Sequence, residues 1–290
     1  MTSTAVEKTL KTKEIWEKIG CNSPIYISLI FIIIVSLAGM LAPLIAPYAP
    51  GGLEEKGLLE GPSLSHWMGT DELGRDLLTR VLYGARVSIT VGFGTAAIAL
   101  IIGTAYGLIS GYGGGALDNL MMRVVDIFYG LPDLLIFILL SLLLGRNIGG
   151  LLIALGLVTW VRFARITRGQ VLQAKELAYV EGAKAIGASH LRLIARHILP
   201  NILGPIVVTL TFSIPSAILA ESTLSFIGLG INDPYDAWGT SWGTLAQDGW
   251  RAMRAYPHII LFPGMAIFLT ILAFNFLGNG LRDILDPKTR

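Results

Sequence analysis

The sequence has little charge and almost no cysteine. Only 14% of its 290 residues are Asp, Glu, Lys or Arg, and 53% are hydrophobic, whereas a soluble domain carries about 25% charged residues. This composition excludes an ordinary soluble domain, because so large a hydrophobic surplus belongs in lipid. The single cysteine, Cys21, cannot form a disulfide within the chain.

Three patterns that would indicate catalysis or nucleic-acid binding are also missing. The sequence contains no Gly-Lys-Ser or Gly-Lys-Thr, so it offers no P-loop for nucleotide phosphates. Its four histidines are scattered and form no His-Glu-x-x-His zinc pattern. Its basic residues do not form the single stripe that a nucleic-acid-binding face requires. We therefore expect a chain that is not an enzyme and holds no metal, cofactor or nucleic acid.

The sequence does contain six apolar stretches that are candidates to cross a bilayer. A hydrocarbon core of about 30 Å takes about 20 helical residues. The stretches cover residues 25–46, 87–110, 124–144, 149–161, 202–220 and 259–277. The fourth is short, and we expect it to extend through Arg162 and Arg165 into the cytoplasm. The predicted fold class is an all-α integral membrane protein with six transmembrane helices.

Lysine and arginine in the loops predict the orientation, because they favour the cytoplasmic side of a membrane. An orientation with the N terminus inside places most of them in the cytoplasm, together with the C terminus. Residues 47–86 and 228–258 then form external loops, and the tryptophans of the second loop are expected at the membrane interface. A signal peptide at the first span is the alternative, although such apolar regions usually have about 7–15 residues.

The chain is divided by these predictions into three parts. Residues 1–86 hold the N-terminal segment, the first span and an external loop. Residues 87–281 form a five-helix core, and residues 282–290 form a cytoplasmic tail.

The internal connection at residues 162–201 is predicted to be a helical hairpin. Gly187 provides the break between two short helices, since glycine adopts turn conformations without steric cost. Ser189 is placed to cap the second helix. Pro200 suits the first turn of the fifth span, where its missing N–H leaves no bond unmade.

The surface of the first hairpin helix is nearly bare at Gly182 and Ala183. The groove of another protein could therefore approach its backbone closely, and Glu181 adds a charge at the edge of that surface. The alternative is a solvated loop without a partner.

The hairpin resembles the EAA loop of permease subunits of bacterial ATP-binding cassette importers. The residues that carry the resemblance are Glu181, Gly182, Ala183, Gly187, Leu199 and Pro200. Two positions depart from the usual pattern, with Gly182 in place of the first alanine and His197 in place of isoleucine. Three stretches resemble the peptide and nickel branch of that family, at residues 69–76 with 83–88, 196–201 and 221–230.

The resemblance implies a type I importer permease with a cytoplasmic coupling hairpin. Its ATPase-coupling loop would comprise Glu181, Gly182, Ala183, Gly187, Ala188 and Pro200. The implied partners are a second, non-identical permease, two ATPase subunits that bind ATP and Mg, and an extracytoplasmic substrate-binding protein, all at the inner (cytoplasmic) membrane. The implied substrate is a dipeptide or oligopeptide, a nickel complex or a related small solute.

Three glycines of the second span, Gly103, Gly107 and Gly111, recur every four residues and share one helix face. Such a face permits close backbone contact. The neighbour is either a helix of the same chain or the second permease.

Two carboxylates in the spans, Asp133 and Glu221, are candidates for the solute path or its gate, because a charge in the bilayer is costly and usually functional. Asp133 could instead satisfy backbone groups freed by Pro132, and Glu221 could belong to a packing network or lie at the interface. Asp126, nearer the inner surface, is expected to pair with Arg123. A rival function, a secondary carrier or channel, would use Asp133 and Glu221 as proton or ion sites.

Arg75, Asp233 and Trp238 in the external loops are candidate contacts for the binding protein. The alternative is a folded element in which the acids Asp71, Glu72 and Asp76 locally neutralise Arg75 and its neighbours Arg80 and Arg86.

Overall fold

The computed structural model describes residues 23–49, 51–52, 57–231 and 238–285, and these residues form helices without a strand. The helices are α1 (Ser23–Met40), α2 (Ala42–Ile45), α3 (Leu77–Gly113), α4 (Gly115–Tyr129), α5 (Asp133–Leu144), α6 (Ile148–Lys175), α7 (Ala178–Ala185), α8 (His190–Leu193), α9 (Leu199–Phe226), α10 (Trp242–Ala252) and α11 (His258–Leu285). Five helical segments are long and apolar enough to cross a membrane, and the bent pair of α4 and α5 makes a sixth. The predicted all-α membrane fold is confirmed.

The third span is broken, whereas the sequence predicted a single span over residues 124–144. Helices α4 and α5 meet at 87° across three residues, Gly130, Leu131 and Pro132. Proline has no N–H to continue the helical ladder and disfavours helical geometry in the residue before it. Asp133 opens α5, but no side chain caps that helix. The suggestion that Asp133 satisfies backbone groups freed by Pro132 therefore lacks the expected bond.

The second span begins ten residues earlier than predicted, at Leu77 rather than residue 87. Asp76 fixes this start, because its carboxylate accepts a hydrogen bond from the Thr79 N–H at 2.7 Å. The boundary drawn between residues 86 and 87 consequently falls inside α3. Helix α1 also packs against α3 and α11, so the first span belongs to the same bundle as the other five.

The glycine face of α3 packs against α6. A Cβ atom at Gly107 would lie 2.5 Å from the Ala164 carbonyl oxygen, and one at Gly111 would lie 3.0 Å from the Arg168 carbonyl oxygen. Gly103 meets Phe163 and Trp160 in the same way. These glycines therefore bring two helices of this chain into backbone contact, which is the first of the two alternatives given above.

The bundle has two distinct ends. At the hairpin end lie α7 and α8, with the end of α3, where the Lys175 ammonium donates to the Gly111 and Tyr112 carbonyls at 3.1 Å. At the α10 end, the Trp242 indole N–H donates to the Val81 carbonyl at 3.0 Å. Trp242 is 1% exposed, so it is a core residue and the prediction that it lies at the membrane interface is wrong.

The first and last helices place both described ends of the chain together. Ile25 of α1 packs on Gly280 of α11, and Leu285 lies beside Gly204 in the first turns of α9. Ser23 and Leu285 are thus both at the hairpin end.

Candidate functional site

The hairpin exposes the surface of α7. Glu181 and Gly182 are exposed and Ala183 is half-buried, while Val180 beside them is 4% exposed and anchors the helix. A Cβ atom at Gly182 would meet nothing within 4 Å. Gly187 ends the turn after α7 with φ +84°, a conformation that other residues rarely adopt. The predicted break at Gly187 is therefore where the chain turns, and Ala188 follows it half-buried.

Two large apolar side chains project from the same hairpin. Ile186 is 88% exposed and Leu191 is 77% exposed. They flank the turn at Gly187 on a segment that is otherwise rich in polar residues. An exposed apolar patch with a polar rim is typical of a protein contact.

The second half of the hairpin runs directly into α9. A π-helical turn, Ile194–Ile198, joins α8 to α9, and Pro200 lies in the first turn of α9 as predicted. Ser189 occupies the N-cap position of α8, but its side chain makes no capping hydrogen bond. The structure therefore differs from the predicted capped helix, and α8, the π-helical turn and α9 follow one another without a break.

The hairpin is also attached to α3. The Tyr112 hydroxyl and His190 Nδ1 are 2.6 Å apart. A buried apolar cluster at the hairpin's base includes Val180 and Leu193 with Val171 of α6 and Ile198. A cavity of about 700 Å³ lies between these elements, lined in part by Lys175 and Glu181.

A groove of about 410 Å³ runs along α5, α6 and α9, beginning at the break between α4 and α5. Its wall contains apolar residues, five hydroxyl side chains and two charges of opposite sign, Asp133 and Arg162. Both charged residues are exposed in this chain. The structure thus places Asp133, a predicted path residue, in a groove rather than in the core.

Glu221, the other predicted path residue, lies elsewhere. It is 0% exposed and accepts hydrogen bonds from Ser225 at 2.6 Å and from Ser88 at 3.1 Å. Ser225 in turn bonds to Ser241 at 3.2 Å, just before α10. Glu221 therefore belongs to a packing network at the α10 end, which was one of its alternatives, and it does not line the groove.

Arg75 is 6% exposed and is bound within the chain. Its Nε donates to Asp71 at 2.7 Å, and Arg80 donates to the same Asp71 oxygen at 2.6 Å. Arg80 also reaches Asp248 of α10 at 3.2 Å. This geometry agrees with a locally neutralised element and leaves little of the Arg75 side chain for contact with another protein.

Of the other candidate binding-protein contacts, Trp238 is partly buried and Asp233 lies outside the described residues. The Arg86 guanidinium stacks 3.9 Å from the centre of a Trp238 ring. Trp238 also packs against the cluster that contains Val87 and Leu224.

Two arginines of α6 attach α4. Arg168 binds Asp118 through two bonds of 2.7 Å. Arg165 binds Asp126 at 2.6 Å, so the predicted pairing of Asp126 with Arg123 is wrong. The physical reason is that α6 lies alongside α4 and presents its arginines one turn apart.

Several of these residues were not predicted from the sequence. Ser88 and Ser225 lie inside stretches that resemble a permease branch. That resemblance marked the stretches but did not assign a role to either serine. Arg162 was taken only as a topological charge, and Asp248 was not considered. Within the described residues, no group of three or more His, Cys, Asp and Glu side chains could hold a metal ion.

The chain is similar to permease components of membrane transport systems. The family model described as "Binding-protein-dependent transport system inner membrane component" matches residues 103–290. The dipeptide transport system permease protein DppC of Bacillus subtilis (strain 168) is 43% identical over 282 residues, covering 96% of this chain and 86% of DppC. The oligopeptide transport system permease protein OppC of the same organism is 40% identical over 284 residues, covering 97% of this chain and 92% of OppC.

The fold is similar to that of a solved transporter. The methionine ABC transporter MetNI, in inward-facing conformations, aligns with a TM-score of 0.56 at 14% sequence identity, covering 72% of this chain and 96% of that one.

Proposed function

We propose, on the premise that the chain belongs to the family of binding-protein-dependent transport system inner membrane components, that it is the permease subunit of an ATP-driven importer for small peptides. Its relatives include permeases named for dipeptide and oligopeptide transport. The chain itself contains no P-loop, so the nucleotide is hydrolysed on separate ATPase subunits that bind ATP and Mg.

The observation that carries the proposal is the exposed hairpin. Its first helix presents Gly182 with open space at the Cβ position, next to Glu181 and the exposed Ile186. A cleft of an ATPase subunit fits this surface, because a bare helix face allows close approach and an exposed apolar side chain supplies buried area. The Glu181–Ala188 segment and Pro200 are the coupling loop in this proposal.

The hairpin also has a mechanical route into the membrane. Displacing α8 moves α9 through the continuous helix and moves α3 through the Tyr112–His190 contact. ATP-driven closure of two ATPases would thereby shift spans around a solute path. The other wall of the path would come from a second, non-identical permease.

Orientation follows from the same assignment. The hairpin end faces the cytoplasm, and so do Ser23 and Leu285, which agrees with the excess of Lys and Arg predicted there. The α10 end faces the opposite side, where an extracytoplasmic binding protein would deliver the solute. Arg75 and Trp238 would then support that surface from within the chain rather than contact the binding protein directly.

The test is isolation of the chain from its membrane in mild detergent, with mass spectrometry of the proteins that copurify. The Gly182→Trp variant adds bulk to α7 at a position where a Cβ atom would meet nothing within 4 Å. Gly61→Trp is the matched control, because a Cβ there also meets nothing within 4 Å but lies at the α10 end. We expect P-loop ATPases and a second permease with the parent and the control, and loss of the ATPases with Gly182→Trp.

Transport by the reconstituted complex completes the test. ATP-dependent uptake of a labelled dipeptide is expected for the parent and not for Gly182→Trp. Recovery of this chain alone, active in vesicles without any ATPase, would instead establish the rival secondary carrier.

A further inference from the structure

The groove on α5, α6 and α9 carries two opposite charges at a similar depth. Helices α5 and α6 pack against each other and are joined by residues 145–147 at the α10 end. Asp133 opens the 12-residue α5, about 18 Å from that end at 1.5 Å per residue. Arg162 lies about 21 Å along α6 from its start at Ile148. Both residues line the same cavity.

Counted from the junction of α5 and α6, both charges lie within the length of a hydrocarbon core of about 30 Å. A charged side chain that faces lipid there is strongly disfavoured. Among the residues that the structure describes, neither Asp133 nor Arg162 has an ion-pair partner. Their exposed position therefore indicates that the groove opens to water or to another chain rather than to lipid.

Four of the remaining polar groups of the groove are hydrogen-bond acceptors. Four of its five hydroxyl groups each donate to a carbonyl of their own helix, at distances of 2.8 to 2.9 Å. These groups belong to Thr159, Ser213, Ser216 and Thr223. With their protons engaged, their free lone pairs accept hydrogen bonds from N–H donors.

We propose that Asp133 and Arg162 are specificity-determining residues of the solute path, which take the ammonium and the carboxylate of a zwitterionic small peptide in transit. Asp133 and the hydroxyl oxygens attract the ammonium end. Arg162 offers a planar fork that matches a carboxylate. The apolar wall between them, which includes Phe137 and Val158, accommodates side chains of varied size. This inference rests on the proposed function and assigns the residues that act in it.

The test uses the complete transporter in proteoliposomes, with the second permease, the ATPases and the binding protein present. Uptake is measured for dialanine, N-acetyl-dialanine and dialanine amide. The uptake rate of each variant is divided by the uptake rate of the parent for the same peptide. The selectivity of the binding protein then cancels from this ratio. The variants are Asp133→Asn and Arg162→Gln.

Two matched controls come from α4 and α6. Asp126→Asn and Arg165→Gln also remove exposed opposite charges, and neither residue is among those that line the groove, although Arg165 stacks 3.9 Å from the ring centre of Tyr129 in its wall. Conservative variants, Asp133→Glu and Arg162→Lys, keep each charge.

We expect Asp133→Asn to lower dialanine uptake about tenfold and to leave N-acetyl-dialanine uptake within twofold of the parent. Arg162→Gln should do the same for dialanine, with dialanine amide spared. The conservative variants should keep at least half of the dialanine uptake, and the controls should change none of the three rates. If the parent takes up only dialanine, the inference is tested by one comparison: dialanine uptake should fall in the neutral variants and be kept in the variants that retain the charge.

Two results would overturn the inference while the proposed function stands. Equal losses for every peptide would mean that the residues contact the second permease, and unchanged uptake would mean that the solute does not touch them. A parent complex that assembles but imports none of the peptides would overturn the proposed function and this inference together.

Discussion

Ser88 on α3 donates a hydrogen bond to Glu221 on α9 across 3.1 Å, although 133 residues separate them in the sequence. The same serine accepts the backbone N–H of Trp242 at 3.3 Å, so the buried acid and its serines join α3, α9 and the start of α10. Gly243 makes this approach possible, because a Cβ atom there would lie 2.5 Å from the Ser222 Cα. The network fixes the α10 end of the bundle.

Glu221→Ala should destabilise the protein by about 3 kcal/mol or more, because it leaves buried hydroxyls without an acceptor and opens a cavity. Glu221→Gln should cost about 1 kcal/mol, since it keeps one acceptor oxygen and nearly the same volume. Thermal unfolding in detergent, followed by tryptophan fluorescence, measures both. Equal stability of the alanine and glutamine variants would show that the hydrogen bonds of Glu221 contribute nothing.

Gly107→Ala should separate α3 from α6 and lower the stability by about 2 kcal/mol, because the added methyl group meets a carbonyl oxygen and a side chain at 2.5 and 2.7 Å. Gly264→Ala in α11 is the control, since a Cβ atom there has open space. The control should be neutral or slightly stabilising, as alanine favours helix over glycine. A tolerated alanine at 107 would mean that these helices can move apart freely.

The sequence predicted the number and type of the spans because each apolar run is long enough to cross a membrane by itself. It missed the 87° break between α4 and α5, because a proline within an apolar run is compatible with a kink or a full break. It also missed Arg162 as a groove residue. The charge of Arg162 was interpreted through the positive-inside rule, which does not predict the helix face on which a residue lies.

Contacts between residues that are distant in the sequence were the hardest to predict. Arg75 and Asp71 are four residues apart, so their neutralisation was foreseeable. Arg80 and Asp248 are 168 residues apart and meet only after α10 folds back onto α3. No local pattern in the sequence indicates such a pairing.

Asp71→Ala should destabilise the loop at residues 57–76 by about 3 kcal/mol or more, because two buried arginines lose their common partner. Asp248→Ala should have a smaller effect, since its side chain is 31% exposed and water can replace it. The rate of proteolysis between residues 57 and 76 reports the loop directly, and thermal unfolding reports the whole chain. A larger effect from Asp248 than from Asp71 would contradict this ranking.

The Asp118–Arg168 pair should couple more strongly than the Asp126–Arg165 pair. The first has two bonds and side chains 9% and 32% exposed, whereas the second has one bond and side chains 65% and 46% exposed. Double-mutant cycles with alanine should give about 1–3 kcal/mol for the first pair and less than about 1 kcal/mol for the second. Raising the salt concentration should weaken the exposed pair more. Equal coupling energies would show that burial does not distinguish the two.

Tyr112→Phe should lower the amount of peptide imported per ATP hydrolysed, by several-fold, while leaving stability almost unchanged. The lost bond to His190 is exposed and so contributes about 1 kcal/mol or less to folding, yet it is a direct link between the hairpin and α3. Tyr106→Phe is the control, because its hydroxyl also makes one bond of 2.9 Å, to the Met121 carbonyl, away from the hairpin.

Measuring uptake and ATP hydrolysis in the same proteoliposomes separates the two possible routes of coupling. If Tyr112→Phe hydrolyses ATP at the normal rate and imports less, the link to α3 transmits part of the movement. If import per ATP is unchanged in both variants, the movement passes through the continuous helix from α8 to α9 alone. In that case Gly187, which sets the angle between α7 and α8 with its positive φ, becomes the position at which a bulky residue should uncouple hydrolysis from import.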